Sequence, residues 1–272
     1  MRHLVYGLTL LVLFALPAQA QSRSDIDALF SALQMERIFE VMREEGLVMG
    51  RDLGNEMLPG GSDPYWQHLV ERIHDTDNMA LVVREAFEDS FQDADITPLL
   101  EFFNSETGQQ IVTREVDTRH SFLNEGQEDL ARAYFLSHPE PFDARLSAIA
   151  DYIEANGLIE NNVVGALNSN YLFFRGLVEG GALELSDEEM LQDVWSQEDL
   201  TRADTREWLF AFLLQAYDPL SDEAILAYAE MSRSPEGKAL NRALFAGFDE
   251  MYGAISLSLG LALAKQLRGE TL

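Results

Sequence analysis

Apolar residues recur at helical spacing along almost the whole chain after residue 20. Ile26, Leu29, Phe30 and Leu33 follow the i, i+3, i+4, i+7 spacing of one helix face. Similar stripes cover residues 66 to 73, 79 to 87, 99 to 103, 142 to 153, 163 to 178 and 208 to 213. The strict alternation of a half-buried strand is almost absent. The pattern therefore predicts an all-α protein built from helical bundles.

Short polar residues before several stripes predict where helices begin. Ser24 is expected to cap the first helix, whose stripe continues without a break to residue 42. Thr97 is expected to cap a helix with Pro98 at its first position. Asp204, with Glu207 three residues later, has the pattern of a capping box. Further signals are the capping box of Ser186 and Glu189, the Ser234-Pro235 start and the Asn156-Gly157 stop.

The chain is similar to itself at an offset of 129 residues. That offset places Trp66 on Trp195 and runs without a gap to Gly108 on Gly237, with nine identical pairs in 43 positions. The stretch directly after Trp66 is apolar where its counterpart is charged, so the similarity is not uniform. A fixed internal period indicates duplication, which predicts two similar helical domains packed with pseudo-two-fold symmetry.

The predicted boundary between the two copies lies at residues 137 to 141, where two prolines flank one acid. Proline interrupts a helix at its own position and restricts the residue before it. The expected domains are residues 21 to 137 for the first copy and 142 to 272 for the second.

The first 20 residues have the pattern of a secretory signal peptide. Arg2 and His3 precede an apolar run from residue 4 to 16, and Ala18-Gln19-Ala20 matches the small-residue cleavage pattern. We expect cleavage after Ala20 and a periplasmic location. A second apolar run, residues 251 to 264, is too short to span a bilayer and predicts a buried helix. No membrane span is therefore expected in the mature chain.

Composition excludes several classes of function. The chain has 47 Asp and Glu against 19 Lys and Arg, a formal net charge of -28. Nucleic-acid binding rests on clustered basic residues, so nucleic acid is excluded as a main partner. Zero cysteines exclude disulfides and thiolate metal sites. The dispersed acids favour a role in solubility, with recruitment of a cationic partner or divalent ions as the alternative.

Common catalytic and cofactor motifs are missing. The sequence has no nucleophile elbow, phosphate loop, HExxH or dinucleotide fingerprint. No catalytic, cofactor-binding or metal-ligating residue is therefore assigned, no cofactor is expected, and the chain is predicted not to be an enzyme. The best metal candidate is His68, Glu71 and Asp75, at i, i+3 and i+7, with His74 nearby. A solvated polar helix face is the preferred interpretation of this group.

Two other groups of residues have alternative interpretations. Paired carboxylates such as Glu44-Glu45 and Asp249-Glu250 could form an acid and base pair, but helical periodicity favours exposure to solvent. An aromatic set in the second half could line an apolar pocket or form filled core, and core is preferred. The set comprises Tyr171, Phe173, Phe174, Trp208, Phe210, Phe212, Tyr217 and Tyr228.

Two octapeptides at the repeat offset share one motif. Residues 102 to 109, FFNSETGQ, and residues 231 to 238, MSRSPEGK, each place Ser-x-x-Gly after an apolar or aromatic run and before a long amphipathic helix. This motif resembles that of a secreted helical family of Gram-negative bacteria called domain of unknown function 2059, here in two copies. The resemblance implies an exported, helical protein and carries over no catalytic residues.

Taken together, these features favour a non-catalytic periplasmic binding or interaction protein of the cell envelope. Its partner would be an unknown protein or a small hydrophobic ligand. The alternative is a carrier or sensor for a hydrophobic small molecule held by the second-half aromatics. A hydrolase that uses scattered Asp and Glu with His68 or His120 is the third hypothesis.

Overall fold

The computed structural model describes residues 23–92, 94–124, 126–138 and 142–269. The predicted signal peptide, residues 1 to 20, lies outside these ranges. Within them the regular structure is entirely α-helical, which confirms the predicted class. No helix of the described chain combines the length and apolar character needed to cross a membrane. The helices are α1 (Arg23–Ala32), α2 (Met35–Met57), α3 (Pro64–Ile73), α4 (Thr76–Phe91), α5 (Thr97–Phe103), α6 (Glu106–Ser121), α7 (Gln127–Leu136), α8 (Ala144–Asn156), α9 (Leu158–Glu179), α10 (Asp187–Trp195), α11 (Glu198–Tyr217), α12 (Asp222–Arg233) and α13 (Pro235–Leu267).

Several predicted helix ends are confirmed. Gly157 ends α8 in the left-handed region with φ 58°, a conformation that glycine adopts without strain. Ser186 and Glu189 form the expected capping box at α10. Ser234 caps α13, with Pro235 in its first turn. These signals are local, so the sequence predicts them without knowledge of the packing.

The predicted capping box at Asp204 and Glu207 is wrong, because both residues lie inside α11. Arg132 of α7 donates from Nη1 to Asp204 at 3.1 Å and to Glu207 at 3.2 Å. The two carboxylates therefore pair with a neighbouring helix and do not cap their own.

Other predicted starts are displaced. Ser24 lies within α1, whose described residues begin at Arg23. Thr97 is the first residue of α5, and its N–H is accepted by Asp95 Oδ1 at 2.9 Å. The first stripe is also split, since Gln34 has φ 53° between α1 and α2. Gln34 Nε2 donates to Thr113 Oγ1 at 2.8 Å, so a contact with α6 holds this break.

The two halves of the chain interlock around one core. The long helix α13 packs along α9 and also along α4 of the first half. In the same way α11 packs on α6 and α7 as well as on α8 and α9. The main hydrophobic cluster includes buried residues of every described helix except α10, and a smaller cluster joins Val163 and Leu167 of α9 to Val194 of α10. The surfaces that the halves bury against each other therefore belong to the main core.

Glycines allow α9 and α13 to cross closely. A Cβ atom on Gly260 would lie 2.2 Å from the carbonyl oxygen of Phe173. A Cβ atom on Gly176 would lie 2.5 Å from the carbonyl oxygen of Leu257. Both obstacles are backbone atoms, so neither can move aside without shifting a helix. The apolar stretch from residue 251 to 264 is thus a buried helix in tight contact, as predicted.

The two Ser-x-x-Gly segments have the same local geometry. Ser105 Oγ accepts from Gly108 N–H at 3.0 Å, and Ser234 Oγ accepts from Gly237 N–H at 2.9 Å. A Cβ atom on either glycine would lie 2.2 Å from a main-chain carbonyl oxygen of the preceding helix. The tryptophans at the other end of the alignment differ, because Trp66 is fully buried while Trp195 is 53% exposed.

We expect Ser105→Ala and Ser234→Ala to lower the free energy of unfolding by similar amounts, each about 1 kcal/mol. Each change removes the side-chain oxygen that accepts a backbone N–H at the start of its helix. Urea denaturation followed by circular dichroism measures both effects, with Ser256→Ala inside α13 as a control near zero. A loss confined to one of the two caps would contradict their equivalence.

Candidate functional site

The predicted metal residues do not converge. His68 Nδ1 lies 3.7 Å from Glu71 Oε2 and both side chains are exposed, while Asp75 caps α4. His74 is buried, with Nδ1 2.9 Å from the carbonyl oxygen of Val70. Burial lowers the pKa of His74 and so favours a neutral ring. Across the described residues, no three His, Asp or Glu side chains are close enough to hold a metal ion.

The other polar candidates lie at the surface. His120 Nε2 is 3.7 Å from Glu44 Oε2, and both side chains are more than half exposed. Asp249 and Glu250 are exposed, as the periodicity of their helix predicts. None of these residues approaches His68 in a common cleft.

The aromatic side chains of the predicted set pack in more than one place. Trp208 stacks on Phe212 at a centroid distance of 4.9 Å, and Phe210 stacks on Phe135 at 5.0 Å. Both groups are filled core, in agreement with the preferred interpretation. Tyr228, also a member of the set, lines a cavity.

This cavity has a volume of about 280 Å³ and lies where both halves of the chain meet. Residues of α5 and α6 from the first half and of α8, α9, α12 and α13 from the second half line it. Its apolar lining includes Phe103, Leu240, Leu244 and Phe248. Leu244 and Phe248 are only partly buried, so the cavity is a cleft that opens to solvent.

Glu115 of α6 supplies a carboxyl group to this cavity. It lies four residues after Ile111, which is fully buried, and next to the buried Val116, so it belongs to the inward side of α6. Its Oε1 accepts a short hydrogen bond from the Tyr217 hydroxyl. Within the described residues, no other hydrogen bond or ion pair reaches this carboxyl.

The surroundings of Glu115 change its ionisation. Burial raises the pKa of this carboxyl from 4.5 to about 7, and the hydrogen bond from Tyr217 opposes the rise. Desolvation disfavours the charged form, and no cation offsets it. Glu115 therefore exchanges between its charged and neutral forms near neutral pH.

Three buried tyrosines surround this carboxyl. The ring centroid of Tyr152 is 4.5 Å from that of Tyr228 and 6.0 Å from that of Tyr217. Burial raises the pKa of all three hydroxyls, and the charge of Glu115 adds to the effect. These hydroxyls remain protonated at any pH at which Glu115 titrates.

The one cation at the cavity wall is already neutralised within the described structure. Arg119 donates from Nε and Nη2 to the two carboxylate oxygens of Glu45, each at 2.8 Å. Its Nη2 also lies 3.2 Å from the Tyr252 hydroxyl. This bidentate pair fixes the guanidinium toward α2 and leaves Glu115 without a cationic partner.

Two asparagines place further oxygen atoms at the cavity wall. Asn156 Nδ2 donates to the carbonyl oxygen of Tyr152 at 3.1 Å, and Asn241 Nδ2 donates to that of Asn156 at 2.8 Å. A carbonyl oxygen can only accept, so these bonds fix which side of each amide carries the nitrogen. Neither side-chain oxygen receives a hydrogen bond within the described chain. The cavity wall therefore offers unpaired acceptor oxygens beside the carboxyl group of Glu115.

Glu115 was not predicted as a site residue from the sequence. The signal was a single glutamate directly before Val116 and four residues after Ile111, in the stripe that faces the core. It is weak because a carboxylate at the edge of an apolar stripe commonly extends to solvent. Only the position of Tyr217, 102 residues further along, decides that it does not.

The site is thus a small cleft with an apolar wall, one carboxyl group that titrates near neutral pH and a neutralised arginine. Among the residues lining it there is no second carboxylate and no histidine. An acid and base pair of the usual kind requires two such groups. Comparisons of the chain with models of known families, with curated proteins and with solved structures find no match.

Proposed function

We propose that this chain is a non-catalytic binding protein of the cell envelope, exported to the periplasm, and that the cleft beside Glu115 is its small-ligand site. The observation that carries this proposal is a cavity of about 280 Å³ that contains a carboxyl group with one oxygen atom unbound. Ligand pockets are typically apolar with a few convergent polar groups, and this cleft has that character.

A volume of about 280 Å³ sets the size of the ligand. At the volume per molecule of liquid water, it holds about nine non-hydrogen atoms. A long lipid chain does not fit in such a cleft. The proposal thus retains the small-molecule carrier or sensor hypothesis, but with a ligand held by α6, α8, α12 and α13.

We further propose that the chain arose by duplication and is related to the secreted family called domain of unknown function 2059. The matching caps at Ser105 and Ser234 support this, as do the matching contacts of Gly108 and Gly237. At the repeat offset α4 corresponds to α11, and α6 corresponds to α13. The packing of α4 on α13 and of α11 on α6 is therefore a matched pair of contacts, as expected for a pseudo-two-fold arrangement. The cleft then lies at the junction of the two copies, where the sequences differ.

An interaction protein without a small ligand is the second candidate. The exposed apolar residues on α7 favour it, since Leu130 is 66% exposed and Leu136 is 64% exposed. A protein partner would cover such residues. The two candidates differ in whether the cleft is occupied in the cell.

We expect the protein purified gently from its own periplasm to carry extra mass that organic solvent removes. Native mass spectrometry compares the intact mass with that calculated from Gln21. Leu244→Trp narrows the cleft and is expected to abolish the extra mass. Leu226→Trp, at an exposed position of α12, is the matched control and should retain it. An intact mass of the unsubstituted protein equal to the calculated mass would favour the second candidate, an interaction protein without a small ligand.

A further inference from the structure

We propose that the ligand of the Glu115 cleft is a small organic cation, an ammonium group on an apolar body. This inference rests on the proposed function and adds the chemical class of the ligand. It follows from three features of the cleft: its unpaired carboxyl group, the direction of its other polar groups and the nature of its walls.

The charge of the cleft favours a cation. Arg119 and Glu45 form a bidentate pair and cancel each other, so the ionised Glu115 remains the uncompensated charge among the lining residues. A partly buried charge without a partner is unfavourable, and an ammonium group beside it relieves this cost. An anionic ligand would instead be repelled by Glu115.

The free hydrogen-bonding groups point to a donor ligand. Within the described residues, Glu115 Oε2 and the side-chain oxygens of Asn156 and Asn241 receive no hydrogen bond. The charged donor at the same wall, the Arg119 guanidinium, already binds the carboxylate of Glu45 through Nε and Nη2. An ammonium group carries only donors and therefore complements this set.

The remaining walls are suited to an apolar body. Phe103, Leu240, Leu244 and Phe248 belong to the apolar part of the lining. The ring of Phe103 is fixed by its contacts with Phe102 and Tyr228, at centroid distances of 5.2 and 6.0 Å. A ring or short alkyl chain of the ligand would be buried against these side chains.

The groups around Glu115 set the pH dependence of binding. Facing it are the hydroxyls of Tyr217 from α11, Tyr152 from α8 and Tyr228 from α12, all with raised pKa. Arg119 on α6 remains charged and paired, with Tyr252 of α13 beside it. Glu115 is thus the group of this site that titrates between pH 6 and 8. Affinity for a cation falls with the ionised fraction, so it should be about tenfold weaker at pH 6 than at pH 8.

Isothermal titration calorimetry with three probes of nearly equal size tests the inference. The probes are phenethylammonium, 2-phenylethanol and phenylacetate, which differ in charge. At pH 8 we expect phenethylammonium to bind the intact protein at least roughly tenfold more tightly than 2-phenylethanol, and phenylacetate not to bind. Glu115→Gln should remove this preference and its pH dependence. Glu101→Gln, an exposed glutamate on α5, is the matched control and should change neither.

The outcomes separate this inference from the proposed function. Equal affinities for the amine and the alcohol, unchanged by Glu115→Gln but lost in Leu244→Trp, would overturn the cation and leave the ligand cleft intact. Preferred binding of phenylacetate would also overturn it. If none of the three probes binds and the purified protein has only its calculated mass, both the cationic ligand and the proposed ligand cleft are overturned.

Discussion

Gly260→Ala is expected to lower the free energy of unfolding by about 3 kcal/mol, at the upper end of the cost of overpacking. The new Cβ atom would lie 2.2 Å from the carbonyl oxygen of Phe173, a backbone atom of α9. Relief requires α9 and α13 to separate, which loosens the packing around Gly176 and Leu177 as well. The gain in helix propensity, about 1 kcal/mol, only partly offsets this. Urea denaturation followed by circular dichroism measures the change.

Gly253→Ala provides the matched control on the same helix. Its Cβ atom would meet Leu172 Cδ1 at 2.8 Å, the far end of a side chain that can rotate away. We expect this variant to be as stable as the unsubstituted protein or slightly more stable, because alanine favours a helix. If Gly260→Ala were as stable as Gly253→Ala, then α9 and α13 would not cross as closely as described.

Glu115→Gln is expected to become progressively more stable than the unsubstituted protein as the pH rises. The native state raises the pKa of Glu115 from 4.5 to about 7, so between these values it retains a proton that the unfolded state releases. The contribution of Glu115 to stability is therefore complete below pH 4.5, declines through pH 7 and is lost above it. The amide does not titrate, and its oxygen can still accept from Tyr217. The stability difference between the two proteins should change by about 3 kcal/mol between pH 4 and pH 8.

Chemical denaturation at several pH values measures this difference, because effects of other carboxyl groups are common to both proteins and cancel. Glu101→Gln is again the control, since an exposed carboxyl group on α5 should give a difference that is nearly independent of pH. A constant difference between Glu115→Gln and the unsubstituted protein would show that the native state does not raise the pKa of Glu115. It would also remove the basis for the pH-dependent binding proposed above.

Much of the secondary structure could be predicted because its signals are local. Apolar residues at helical spacing, the Ser186 capping box and the Gly157 stop act within one or two turns of chain, and each is found where predicted. The errors arise where a distant side chain intervenes. Asp204 lies in the middle of α11, where its carboxylate accepts from Arg132 of α7. Gln34 lies at the break in the first stripe, where its side chain donates to Thr113 of α6.

The site was less predictable than the fold. Tyr228 and Tyr217 belong to the aromatic set of the second half, but the sequence does not distinguish a ring that lines a cavity from a ring in filled core. That difference depends on how well neighbouring helices fill the space, which is a property of several segments together. Glu115 was missed for the same reason, since its surroundings come from four helices far apart in the chain.

The helical class, several helix ends and the absence of cysteine chemistry follow from the sequence alone, because periodicity, capping and composition need no knowledge of distant contacts. How the halves interlock and where the cleft forms depend on the tertiary structure. The same is true of Glu115, whose carboxyl group meets a tyrosine 102 residues away. Desolvation depends on every atom nearby, so the ionisation of this carboxyl is a property of the fold.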